Sequence, residues 1–116
     1  YNKEINKERM KNMINDLLTR QDARESTIVA IGKKYETQIN EINDSIKALA
    51  ADGLGRLEVV IYPHDEDEAN EYNKVYIAEC HRLALSLEYY YQEMKFKAQA
   101  IITGDPISHI SLKLEW

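Results

Sequence analysis

From Ile28 the apolar side chains fall in one narrow rhythm: Ile28, Ile31, Tyr35, Ile39, Ile42, Ile46, Leu49, separated by 3, 4, 4, 3, 4 and 3 residues. This spacing puts them on a single stripe of a helix, close to the a/d seam with which one helix packs along another. The residues between them are polar, among them Lys33, Lys34, Glu36, Gln38, Glu41 and Lys47. Met10, Ile14 and Leu17 keep the same rhythm further upstream, and residues 3–51 hold one glycine and no proline. The chain is therefore committed to a helical N-terminal half with a seam that needs a partner. Two arrangements satisfy it. One is a single coiled-coil helix of about 48 residues, roughly 70 Å long. The other, which we favour, is a hairpin folding back around residues 19–27, a polar stretch broken only by Ala23, with Ser26 or Thr27 capping the second helix. A short strand over residues 26–32 is a further option, given its β-branched residues.

After the seam, Asp52-Gly53-Leu54-Gly55 ends the helix, with Gly53 in the left-handed cap position. Residues 56–62 then read as a strand, stopped by Pro63. A further helix is expected from near Asp65 to about Lys97. Its stripe is Tyr72, Tyr76, Cys80, Leu83, Leu87, Tyr90 and Met94. Ile110, Leu112, Leu114 and Trp116 alternate with polar residues as in a half-buried strand, after a turn at Gly104-Asp105-Pro106. Residues 98–103 are either its hairpin partner or the frayed end of the helix. The expected fold is thus α+β and mainly helical. A helical arm over 1–52 precedes a strand–helix–strand body over 53–116, and the two make one folding unit. The seam and so small a sheet both call for partners, which points to a homodimer or higher homo-oligomer.

Length and composition narrow the class. A chain of 116 residues supports one domain. Its single cysteine, Cys80, forms no internal disulfide. No apolar run approaches the roughly 20 residues that span a bilayer, and no signal-peptide pattern opens the chain, so a cytoplasmic location is expected. The net charge of -5 hides an asymmetry. Residues 1–51 carry nine basic and eight acidic side chains; residues 52–116 carry six basic and twelve acidic. An acidic body of this kind is a poor direct binder of nucleic acid.

Few residues suggest chemistry. His64-Asp65-Glu66-Asp67-Glu68 offers hard ligands for a metal, but Asp65 and Glu68 form a capping box and the carboxylates suit a helix start. Neighbours on a helix point about 100° apart, so Cys80-His81 makes no thiolate–imidazole pair. Gly53-Leu54-Gly55-Arg56 lies between a helix and a strand, the reverse of a phosphate loop's order. No catalytic residue, metal or cofactor is expected, and the chain is not read as an enzyme.

Two groups remain as candidate sites. Arg20 and Arg24, four apart on one helical face, together with Arg56, could hold an anion by bidentate donors. Tyr89, Tyr90 and Tyr91 surround most of a helix and, with Phe96, form a candidate surface for docking a partner or stacking a base. The leading expectation is a non-enzymatic oligomer that docks on, or inhibits, a macromolecular partner. The alternative is an oligomeric sponge for an anionic nucleotide. In size and pattern the chain is similar to small helical-hairpin oligomers of phage origin that sequester nucleotide signals.

Overall fold

The computed structural model describes residues 19–63 and 74–116. In order they form α1 (Arg20–Lys34), α2 (Glu36–Ala51), β1 (Arg56–Tyr62), α3 (Lys74–Glu93), β2 (Lys97–Thr103) and β3 (His109–Glu115). The α+β class and the helical majority agree with the pattern of the sequence. The chain divides between residues 30 and 31 rather than at 52, so the second half of the seam belongs with the body.

In α1 the side chain of Thr19 accepts from the Asp22 amide at 3.1 Å, and the Asp22 carboxylate accepts from the Thr19 amide at 3.4 Å. This reciprocal pair satisfies two of the donors that a helix start leaves free. The helix then continues through the segment where a reversal was expected. Ser26 and Thr27 therefore cap nothing, and residues 26–32 are not a strand. The Thr27 hydroxyl instead donates to the Ala23 carbonyl one turn back, at 2.8 Å. Any reversal before Thr19 falls outside the described residues, as does the start of the helix expected at Asp65.

In the body, the three strands form one antiparallel sheet in the order β1-β3-β2. Strands β1 and β2, joined through α3, both run antiparallel to β3 and so are parallel to each other, with β3 between them. This is a split β-α-β arrangement closed by the β2–β3 hairpin. Residues 98–103 are thus strand. The preceding helix stops at Glu93 instead of reaching Lys97, because Lys95 turns into the left-handed region at φ 71° and β2 begins two residues later. At the hairpin, Gly104 has φ 94°, and a Cβ there would lie 2.7 Å from Ser108 Oγ, so glycine is required by backbone and space together.

One face of the sheet is apolar: Leu57, Leu114 and Ala98 form one cross-strand row, Val59, Leu112 and Ala100 the next. Ile110, Leu112 and Leu114 are completely buried on the central strand. Helix α3 packs on this sheet, chiefly over β2 and β3, and α2 packs beside β1. The core is completed by Leu87 and Tyr91 from α3 and by Tyr35, Ile39 and Ile42 from the seam, with Ile31 and Ile46 at its margin. The seam partner expected from a second subunit is therefore, for residues 31–46, the chain's own body. Nor does the apolar side of the sheet need a second subunit to cover it.

The β2 edge is closed by side chains one helical turn apart. Glu88 Oε2 accepts from the Ala100 amide at 2.6 Å, and Gln92 Nε2 donates to the Ala98 carbonyl at 3.0 Å. These bonds satisfy edge groups that otherwise invite another strand. No helix among the described residues is long and apolar enough to cross a membrane.

Candidate functional site

Two of the body's concavities are of opposite character. The first is a groove of about 590 Å³ between α2, β1 and α3. Its floor is apolar, built from Ile42, Val59, Ile61, Leu83 and Leu87, with Cys80 and Tyr76 towards one side. These residues reach it because α2 and α3 point their apolar stripes at the same sheet face and diverge beside β1. The rim carries two carboxylates, Glu41 and Glu79. Glu79 is paired with Arg82 at 3.2 Å, an exposed contact of small energy. Tyr35 also lines the groove. It is 8% exposed, and its hydroxyl has no hydrogen-bond partner. A buried hydroxyl without a partner costs free energy on the order of 1–3 kcal/mol.

The second concavity, about 550 Å³, opens where α2 and α3 end. It is lined by Gly53, Leu54 and Gly55, by the side of Trp116, and by Arg56, Lys95 and Lys97, with Glu115 as its one acidic side chain. Arg56 and Lys97 sit opposite Glu115 on either side of the central strand. Neither they nor Lys95 form an ion pair among the described residues. The backbone here is well fixed, since the Trp116 amide donates to the Gly55 carbonyl at 2.9 Å.

The candidates suggested by the sequence are redistributed by this geometry. Arg20 and Arg24 lie on exposed α1, in the unit of residues 1–30, whereas Arg56 opens β1 in the other unit. The three therefore belong to two units. Arg56 instead shares its concavity with Lys95 and Lys97, which no spacing in the sequence singles out. Their signal lay in charge distribution: three of the six cations in residues 52–116 fall beside the turn at Gly53 and the last strand.

Of the tyrosines, Tyr91 is not a docking surface. It is 1% exposed, and its hydroxyl donates to Asn43 Oδ1 of α2 at 2.8 Å. Burial, and secondarily the neighbouring Tyr90, raise its hydroxyl well above the usual tyrosine range. Tyr90 and Phe96 pack against the same core, and only partly exposed edges remain. Rings of Tyr90, Tyr91, Phe96 and Trp116 form an edge-to-face series with centroid separations of 5.2, 5.5 and 6.3 Å. Tyr89 is half-buried. Tyr91 and Tyr90 thus serve the interior, whereas Tyr89 belongs to neither core cluster.

Cys80 is buried in the core on α3, as its place on the stripe implies. The acidic run at His64 lies outside the described residues; among those that are described, no group of His, Cys, Asp and Glu is arranged to hold a metal ion. Compared with protein-family models, curated proteins and solved structures, the chain matches none.

Proposed function

We propose that this chain is a small, non-enzymatic interaction protein that docks on a macromolecular partner through the groove between α2, β1 and α3. The observation that carries this reading is the groove's combination of an apolar floor and an acidic rim. Such a surface is complementary to a basic, amphipathic peptide segment. Apolar side chains would fill the floor, and a lysine or arginine would meet Glu41. The negative charge of the body would speed the encounter with a basic partner.

The test uses a synthetic Lys/Leu amphipathic peptide and its Glu/Leu counterpart, followed by amide chemical shifts of the full chain. The basic peptide should shift residues 37–42, 59–61 and 76–87, and Glu41→Lys should weaken it severalfold with the spectrum otherwise intact. Equal binding of the acidic peptide, or shifts confined to other surfaces, would overturn the proposal.

Self-association and a cytoplasmic location belong to the same reading. The first is supported by α1, which has no buried residue and carries Val29 at 56% exposure. Sedimentation at micromolar concentration should show a dimer or larger species; a monomer would remove this part.

A further inference from the structure

The basic concavity is independent of the docking groove, and it has its own chemistry. We propose that it is a binding site for a nucleoside phosphate, with Arg56, Lys95 and Lys97 on the phosphates and the Trp116 indole against the base.

Three observations converge on it. Arg56, Lys95 and Lys97 gather in one hollow although residues 52–116 carry twice as many acidic as basic side chains, and the single acidic side chain among them, Glu115, forms no ion pair among the described residues. A guanidinium lining one hollow with two ammonium groups is an arrangement that phosphate oxygens satisfy, the first by two parallel N–H bonds and the others as point charges. Helix C-termini favour cations nearby, each carrying about half a negative charge. Those two half charges and Glu115 offset about two of the three side-chain cations.

Secondly, Trp116 is 42% exposed while its backbone is pinned to Gly55 and its ring meets Phe96 edge to face. A fixed, accessible indole is a stacking platform that every base can use. The volume, about 550 Å³, suits a ligand of nucleotide size.

Thirdly, Lys95 occupies a left-handed backbone conformation at φ 71° that L side chains rarely adopt. Glycine would be relaxed there. From this position Lys95 lines the hollow.

The chain has one tryptophan, so its emission reports this site alone. Titration of the full chain with ADP and GDP should quench it saturably, and rising salt should weaken the effect. Inorganic phosphate should compete without quenching, and adenosine should bind far more weakly than ADP. Lys95→Gln combined with Lys97→Gln should weaken ADP about tenfold or more, the scale of lost charge-assisted hydrogen bonds. The far-ultraviolet spectrum should stay unchanged, since both residues are exposed. Trp116→Leu, followed by calorimetry, should weaken ADP towards the affinity of phosphate alone. No saturable quenching up to millimolar nucleotide would overturn the assignment. So would unchanged affinity in the double variant, or adenosine binding as well as ADP. Tighter binding of a single-stranded oligonucleotide than of either nucleotide would overturn the small-ligand assignment.

Discussion

Helices α2 and α3 end in the same backbone motif, but they use different residues at its critical position. In α2 the Leu54 amide donates to the Leu49 carbonyl at 2.9 Å and the Gly53 amide to the Ala50 carbonyl at 3.0 Å. In α3 the Phe96 amide donates to the Tyr91 carbonyl at 2.9 Å and the Lys95 amide to the Gln92 carbonyl at 3.0 Å. Both satisfy carbonyls that a helix end leaves free, and both require a left-handed residue, at φ 80° for Gly53 and 71° for Lys95. The difference lies in the next residue along the chain. Leu54, after the glycine, is 53% exposed. Phe96, after the lysine, packs edge to face on Tyr91, the residue whose carbonyl it bonds, and on Trp116. Where the apolar clasp is loose, the turn relies on glycine. Where the clasp is aromatic and partly buried, it holds a lysine in a conformation that costs about 1–2 kcal/mol.

Breaking the clasp should have the largest effect. Phe96→Ala should lower the unfolding free energy by about 2–3 kcal/mol, below the range for a fully buried phenylalanine because this ring is only partly buried. Leu54→Ala should cost under about 0.5 kcal/mol in the same denaturant titration. Equal costs for the two would break the comparison, since the aromatic contact would then not be what distinguishes the ends.

Next in size is Tyr91→Phe, which removes the bond to Asn43 that ties the end of α3 to α2. The loss should be about 1–1.5 kcal/mol at neutral pH. The pH dependence carries a sign. In the folded chain burial keeps this hydroxyl protonated above the ordinary tyrosine value of about 10. Above that pH the unfolded chain binds fewer protons than the folded one, so stability falls as pH rises, and below it the contribution is fully present. Unfolding curves between neutral and strongly alkaline pH should therefore show a shallower decline for Tyr91→Phe than for the native chain. Parallel declines would show that Tyr91 ionises as freely folded as unfolded.

At the other end, Gly53→Ala should cost about 1 kcal/mol, purely from the backbone, because nothing lies within 4 Å of the added Cβ. A neutral result would mean that the α2 end relaxes out of the left-handed region and that the two ends are not the same motif in solution.

These two ends also show where the sequence is legible. Gly53 is readable because glycine after a periodic run marks a left-handed cap. The seam residues Tyr35, Ile39 and Ile42 are readable by spacing and do lie in the core. The alternation of Ile110, Leu112 and Leu114 likewise marks the buried face of β3. Lys95 is not readable. The residues 92–97, Gln-Glu-Met-Lys-Phe-Lys, contain no breaker, so local propensity carries the helix on to Lys97. The stop is tertiary: Phe96 is drawn onto Tyr91, and β2 is drawn into the sheet beside β3. The same limit hid the candidate sites. Spacing placed Arg20 with Arg24, which one helix suffices to do. Bringing Arg56 beside Lys95 and Lys97 takes two helix ends and all three strands. Consecutive tyrosines look alike in sequence, but only the fold assigns Tyr91 to the interior.

The smallest effect is the most discriminating. Lys95→Gly removes the cost of a side chain at φ 71°, about 1–2 kcal/mol, and adds the glycine's greater freedom in the unfolded chain, about 0.5–1 kcal/mol. The net should be a gain of about 0.5 kcal/mol, read as a higher denaturant midpoint with an unchanged slope. The same substitution takes a cation from the hollow beside Trp116, so nucleotide quenching should weaken while the protein becomes more stable. Opposite signs are the signature of a residue kept for binding at the expense of folding. If Lys95→Gly stabilised the chain and left nucleotide quenching intact, the two helix ends would differ only in their clasps, and the lysine would have no part in the concavity.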